Sequence, residues 1–191
     1  MRIITGKAKG IRLVTLEGDA TRPTAERVKE AVFSMFQFDI EGRRVLDLFA
    51  GSGQLALEAI SRGAAEAVLV DKSKDAIKVI NTNIAKTKSA DSCRVYCIDW
   101  KDYIRRFSGE KFDIIFLDPP YAAGLYAPAL SALIDGNMLK PTSLIVCESD
   151  SSEIFAKDAS LAKKFREVKV SRYSRTVITV LSPASEPEEG E

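Results

Sequence analysis

The apolar and polar positions divide the chain into a short preface and a run of alternating strand and helix segments. Residues 1–20 alternate apolar, basic and glycine positions (Ile3-Ile4, Gly6, Gly10, Ile11, Leu13, Val14), which predicts a short hairpin with a basic face. Thr21-Arg22-Pro23-Thr24 has the chemistry of a helix start, with proline near the first turn and Glu26 placed to favour the helix dipole. Val28, Val32 and Met35, with Ala31 and Phe36, then form a helical stripe, and Gly42 closes the preface.

Strand and helix patterns alternate from there. Val45 to Phe49 is an apolar run followed by Ala50-Gly51-Ser52-Gly53 and a helix from about Leu55 to Arg62. Val68-Leu69-Val70 ends at Asp71, with a helix from Lys74 to about Lys86. Arg94 to Ile98 ends at Asp99-Trp100, with a short helix to Phe107. Phe112 to Leu117 runs into Asp118-Pro119-Pro120-Tyr121, with a helix from Leu125 to about Ile134. Leu144 to Cys147 ends at Glu148, and Phe165 to Val170 and Thr176 to Leu181 are two strands joined by a tight turn. This alternation predicts an α/β fold, a Rossmann-like and mostly parallel sheet covered on both faces, with a C-terminal hairpin adding an antiparallel edge. The expected organisation is an extension over 1–42, the main domain over 43–181 and a disordered acidic tail over 182–191.

Composition narrows the chemistry. The 191 residues suffice for one well-cored domain, and 46% apolar with 29% charged residues is a soluble globular mix. No run reaches membrane-span length, and the N-terminus lacks a signal-peptide core. Three cysteines (Cys93, Cys97, Cys147) without a Cys-x-x-Cys point to a reduced, cytoplasmic protein. The absence of histidine removes the usual zinc sites and any histidine-based triad, so no metal is expected. Net charge is +1, yet Arg2, Lys7, Lys9 and Arg12 cluster at one end, and Lys163, Lys164, Arg166, Lys169, Arg172 and Arg175 near the other. Such patches can neutralise a few phosphates, although solvated faces are the commoner meaning.

In open α/β sheets a ligand sits beyond the carboxyl ends of the strands, where the strand order reverses. Four consecutive strands here end in suitable residues. Gly51 and Gly53 let a ligand approach the backbone at a helix N-terminus, above Asp47, which sits inside the preceding run and can brace the loop. Asp71, with Lys72 beside it, is placed to accept from ribose hydroxyls. Asp99 can accept from an exocyclic amine, next to Trp100. Asp118-Pro119-Pro120-Tyr121 leaves a carboxylate, free carbonyls and a ring at the rim, parts that suit a flat molecule bearing an amino group. Each has a plainer reading, as helix caps for Asp71 and Asp99 and as a turn for the prolines. Gly51-x-Gly53-x-x-Ala56 with Asp71 also fits a dehydrogenase fingerprint, but that leaves Asp118-Pro119-Pro120-Tyr121 without a role.

Asp47-Leu48-Phe49-Ala50-Gly51-Ser52-Gly53 followed by Asp118-Pro119-Pro120-Tyr121 resembles the S-adenosylmethionine-dependent amino-methyltransferases of nucleic acids. With Arg22-Pro23-Thr24-x-x-Arg27-Val28-Lys29-Glu30-Ala31-x-Phe33 added, the chain is similar to the bacterial 16S ribosomal RNA guanine-N2 methyltransferases of the RsmD family. The resemblance runs from Met1 to about Leu181 and implies a seven-stranded methyltransferase fold whose N-terminal extension helps to close the site or hold RNA. It implies S-adenosylmethionine as cofactor, held by Asp47, Phe49, Gly51, Gly53, Asp71, Lys72, Asp99, Trp100 and Asp118. Asp118, Pro119 and Tyr121 would be catalytic, and Pro120, Tyr121, Arg22 and Thr24 would meet the substrate. The substrate would be a guanosine of 16S rRNA in the small ribosomal subunit or its assembly intermediate, and a monomer is the expected state. An adenine-N6 or cytosine-N4 methyltransferase, or a non-catalytic RNA-binding assembly factor, are the alternatives. The chain departs from relatives at Gln54-Leu55-Ala56, where smaller residues and another glycine are usual, and at Ser174, where a glycine commonly follows the tyrosine.

Overall fold

The structure, a computed structural model, describes residues 1–16, 23–35, 39–120, 124–156 and 158–184, with the backbone alone for 23–25. Seven strands form one sheet: β1 (Arg44–Asp47), β2 (Glu66–Asp71), β3 (Cys93–Cys97), β4 (Phe112–Leu117), β5 (Leu139–Ser149), β6 (Phe165–Tyr173) and β7 (Thr176–Pro183). Their spatial order is β3-β2-β1-β4-β5-β7-β6. The order reverses between β1 and β4, whose parallel pairing sets Val45 against Ile114 and Asp47 against Phe116. That reversal opens a crevice at the carboxyl ends of these two strands.

The helices are α1 (Pro23–Met35), α2 (Gln54–Ser61), α3 (Lys74–Thr87), α4 (Trp100–Arg106), α5 (Tyr126–Asp135) and the short α6 (Ala159–Ala162). Because side chains alternate across a strand, the sheet feeds two apolar layers. Val45, Leu69, Phe116 and Val146 point to the layer covered by α1, α2 and α3, where Phe33 packs on Phe116 at 5.7 Å between ring centroids. Leu46, Val68, Leu117 and Cys147 point to the layer covered by α4 and α5.

The preface forms the predicted hairpin, with an antiparallel bridge between Arg2 and Arg12. Ile3, Ala8 and Leu13 are buried in the same layer as Val28, Val32 and Phe33, so the hairpin and α1 share a core with the sheet. Polar groups fasten it there. The buried Glu58 of α2 accepts from the backbone N–H groups of Ile4 (2.8 Å) and Thr5 (3.0 Å), from Arg62 Nε (2.8 Å), and pairs with the buried Lys29 ammonium at 3.3 Å. Lys29 Nζ also donates to the Arg2 carbonyl at 2.6 Å. Desolvation pulls the Lys29 pKa down from its ordinary value, and the Glu58 charge opposes that shift.

At Gly6 the hairpin passes so close to α2 that a Cβ would stand 1.8 Å from the Ser61 carbonyl oxygen, at a φ of +85°. Gly10 has a similar φ of +84° but open space around it. Gly6→Ala is therefore expected to cost roughly 2–5 kcal/mol of stability, from strain and overpacking together, and Gly10→Ala only about 1 kcal/mol. Urea denaturation of the two variants measures the difference, and equal losses would refute the close approach.

The C-terminal hairpin forms the expected antiparallel edge of the sheet. β7 inserts between β5 and β6, antiparallel to both, and β6 is the outer strand. Burial explains this: Val177, Ile178, Thr179, Val180 and Leu181 are buried on both faces, whereas β6 is charged and mostly exposed. Charged side chains on an outer strand also discourage further pairing. β5 begins earlier than Leu144 because Pro141 and the exposed Thr142 mask its start, where the register against β4 shifts. Cys97 is exposed on the outer strand β3, whereas Cys147 is buried and its thiol is pushed up to about 12 by burial. Residues 185–191, most of the expected acidic tail, lie outside the described residues.

Candidate active site

The turn after β1 is built on backbone hydrogen bonds. Leu48 N–H donates to the Phe116 carbonyl (3.2 Å) and Ala50 N–H to the Val70 carbonyl (3.0 Å), which pins the chain between β4 and β2. Gly51 and Gly53 then take left-handed conformations, with φ of +52° and +77°. Gly53 caps α2, and a Cβ on it would meet Leu69 at 3.0 Å. Gly51 has nothing within 4 Å of where a Cβ would lie, so the loop leaves a cradle open to a ligand.

Three carboxylates support this side of the rim. Asp71 accepts from Gly51 N–H at 2.9 Å through one oxygen and from Ser73 N–H at 2.8 Å through the other. Each oxygen keeps a further lone pair, enough to accept from vicinal hydroxyls. Lys72 beside it is exposed. Asp99 caps α4, accepting from Lys101 N–H at 3.0 Å. Trp100 follows, nearly buried, with the Phe49 ring tilted against it at 6.0 Å. Asp47 stands under the loop at 2% exposure, with its carboxylate bonded to the backbone N–H groups of Ala56 and Phe49. These residues fit S-adenosylmethionine: an open glycine cradle for the amino-acid portion, a diol acceptor at Asp71, and an apolar wall of Phe49 against Trp100 beside Asp99 for a flat base.

Burial pushes the Asp47 carboxyl up to about 7, helped by the Asp71 charge and opposed by the Ala56 and Phe49 N–H groups. A carboxyl raised in the fold binds its proton more tightly there than in the unfolded chain. Its contribution is therefore most favourable at low pH and is lost as pH rises from the ordinary carboxylate value towards 7. Asp47→Asn removes that titration. Its stability relative to the parent should climb by a few kcal/mol between about pH 4 and pH 8, as read by urea midpoints at both values; a flat difference would exclude the linkage.

The other side of the rim belongs to β4, β5 and β7. Pro119 is buried and Pro120 exposed; Asp118 is half-buried at the end of β4. Beside Asp118 a recess opens between α1, α2 and the sheet, with an apolar lining of Val32, Leu55, Leu117, Val146 and Ile178. Its polar lining is Lys29, Gln54, Asp118 and Glu148. Gln54 Oε1 is buried and accepts from no group among the described residues. Tyr121 and Arg22, and the side chain of Thr24, lie outside the described residues.

The two sides thus meet at Asp118. Sequence reasoning treated Lys29 as part of a motif, Gln54 as a departure and Glu148 as a strand end, because the recess joins residues over a hundred positions apart. Asn83 was missed altogether. Fully buried, its amide donates to the Ser52 and Val14 carbonyls (2.9 Å each) and accepts from Val14 N–H at 2.8 Å, linking the preface to the glycine loop. An asparagine in a helix otherwise reads as surface.

Residues 1–182 match the family model described as Conserved hypothetical protein 95. The Ribosomal RNA small subunit methyltransferase D of Haemophilus influenzae is 34% identical over 155 residues, covering 80% of this chain and 80% of that protein. Its namesake in Escherichia coli is 35% identical over 150 residues, covering 78% and 75%. Among solved structures, the candidate methyltransferase yhhF of Escherichia coli superposes with a TM-score of 0.83 at 27% identity, covering 97% of this chain and 99% of that one.

Proposed function

The chain belongs to the RsmD family, and from that premise we propose that it transfers a methyl group from S-adenosylmethionine to the N2 amine of a guanosine in small-subunit ribosomal RNA. The observation that carries the reading is the meeting of two half-sites at Asp118. The glycine cradle with Asp71, Asp99 and Trp100 lies on one side, and the recess lined by Asp118 and Glu148 lies on the other.

S-adenosylmethionine supplies a methyl group already activated by its sulfonium. The protein therefore needs no nucleophile of its own and works by positioning. The Asp118 carboxylate and the Pro119 carbonyl accept hydrogen bonds from the amine and turn its lone pair, otherwise delocalised into the ring, towards the methyl. Those bonds strengthen as positive charge develops on the nitrogen, which is stabilisation specific to the transition state. Tyr121 stacks on the base, Pro120 shapes the rim, and a base in structured RNA is extruded to reach them. The amine's extra proton leaves to water or to Asp118. Gly51 and Gly53 hold the methionine portion, with Asp47 bracing the loop from below; Asp71 and Lys72 serve the ribose, and Phe49, Asp99 and Trp100 the adenine.

Lys7, Lys9 and Arg12 on the hairpin are exposed, as are Arg172 and Arg175 at the β6–β7 turn, which reaches the same rim as Glu148. These cations contact RNA phosphates, and Arg22 and Thr24 meet the substrate. The protein acts as a cytoplasmic monomer on an assembled or assembling subunit; no helix among the described residues is long and apolar enough to cross a membrane.

The test is methyl transfer from labelled S-adenosylmethionine to small subunits lacking the modification, followed by nucleoside digestion and mass spectrometry. N2-methylguanosine is the expected product. Methylated adenosine or cytidine would overturn the base, and cofactor binding without transfer to any RNA would overturn the activity.

A further inference from the structure

We infer that Glu148 makes this site select guanine, by accepting the N1 hydrogen of the base while Asp118 holds the amine at N2. The inference rests on the reading of the site given above and adds the residue that decides base identity.

The N2 amine of guanine, the N6 amine of adenine and the N4 amine of cytosine are comparable acceptors for a methyl group. The ring nitrogens beside the amine separate them. Guanine offers a hydrogen at N1 as well as a lone pair at N3, whereas adenine and cytosine offer a lone pair alone. A carboxylate holding the amine cannot distinguish these bases, but a second acceptor beside it can.

The sheet provides that second acceptor. The register that pairs Leu117 with Cys147 carries Asp118 and Glu148 side by side one residue further on, at a neighbouring-strand spacing of about 4.8 Å. Alternation sends both side chains to the α1–α2 face, since Phe116 and Val146 lie in that layer while Leu117 and Cys147 lie in the opposite one. Both line the same recess, where the buried Gln54 Oε1 is a further acceptor with no donor among the described residues. Lys29 lines the same recess, with its ammonium paired to Glu58. Adjacent acceptors match the adjacent N1–H and N2–H donors of guanine and repel the lone pair that adenine or cytosine would present.

The test compares small subunits reconstituted on rRNA carrying either guanosine or 2-aminopurine riboside at the mapped position. 2-Aminopurine keeps the N2 amine but has a lone pair at N1. The parent protein should methylate guanosine roughly 100-fold faster than 2-aminopurine. Glu148→Gln, whose amide can donate to that lone pair, should narrow or invert the preference while leaving S-adenosylmethionine affinity unchanged. A merely structural role would slow both substrates equally and leave the ratio intact, which would overturn the inference. If Glu148→Gln fails to fold, equal rates of the parent on the two substrates overturn it just as well, and a strong parental preference for guanosine supports it. Failure of the parent to methylate guanosine at all would instead defeat the underlying activity.

Discussion

Asp118→Ala will lose roughly a thousandfold or more in kcat while retaining S-adenosylmethionine affinity within a few-fold. The asymmetry follows from where the cofactor contacts lie. The glycine cradle, Asp71, Asp99 and Trp100 are carried by β1, β2 and β3 and the turns after them, whereas Asp118 follows β4. What disappears is the acceptor that orients the amine and stabilises charge as it develops. Asp118→Asn keeps one acceptor oxygen and should fall between the two. Single-turnover methyl transfer with saturating cofactor, together with calorimetric cofactor binding, separates the two quantities. Normal turnover by the alanine variant would sink the mechanism.

The largest expected loss of stability lies at Glu58. Its carboxylate serves two backbone N–H groups of the hairpin, Arg62 and the buried Lys29 ammonium. Glu58→Ala strands that ammonium, at 2% side-chain exposure, and orphans the Ile4 and Thr5 donors. Breaking a buried pair from one side costs about 3–5 kcal/mol, because the partner's charge stays buried without compensation. Lys29→Met should cost less, since Glu58 keeps Arg62 and both backbone donors. Urea denaturation of the two variants tests the ranking; similar losses would mean that the clamp does not centre on Glu58.

How much of this was legible in the residues depends on the range of the interaction. Strands ending in Asp71, Asp99 and Asp118 were readable because a buried apolar run is local and its terminating residue follows directly. The glycine loop was readable because left-handed backbone needs glycine. The order within the C-terminal hairpin was harder: two-sided burial is written in Val177 to Leu181, but which of its strands pairs with β5 is a choice between distant strands. The start of β5 was hidden by Pro141, which ordinarily argues against a strand. Asp47 was correctly suspected as a brace, since a carboxylate inside an apolar run must find donors. Glu148, Gln54 and Asn83 gave no local signal. Their roles come from register and from helix packing, which bring residues to one point that no spacing rule connects.

The clamp on the hairpin also bears on the order in which the protein assembles during synthesis. Ile4 bonds to a side chain 54 positions further along, so the hairpin lacks its anchor until α2 has emerged from the ribosome. A two-stranded hairpin alone is marginal in water, and burial of Ile3, Ala8 and Leu13 needs the sheet. The hairpin is therefore made before α2 but docks after it, and until then its apolar positions wait for their partners.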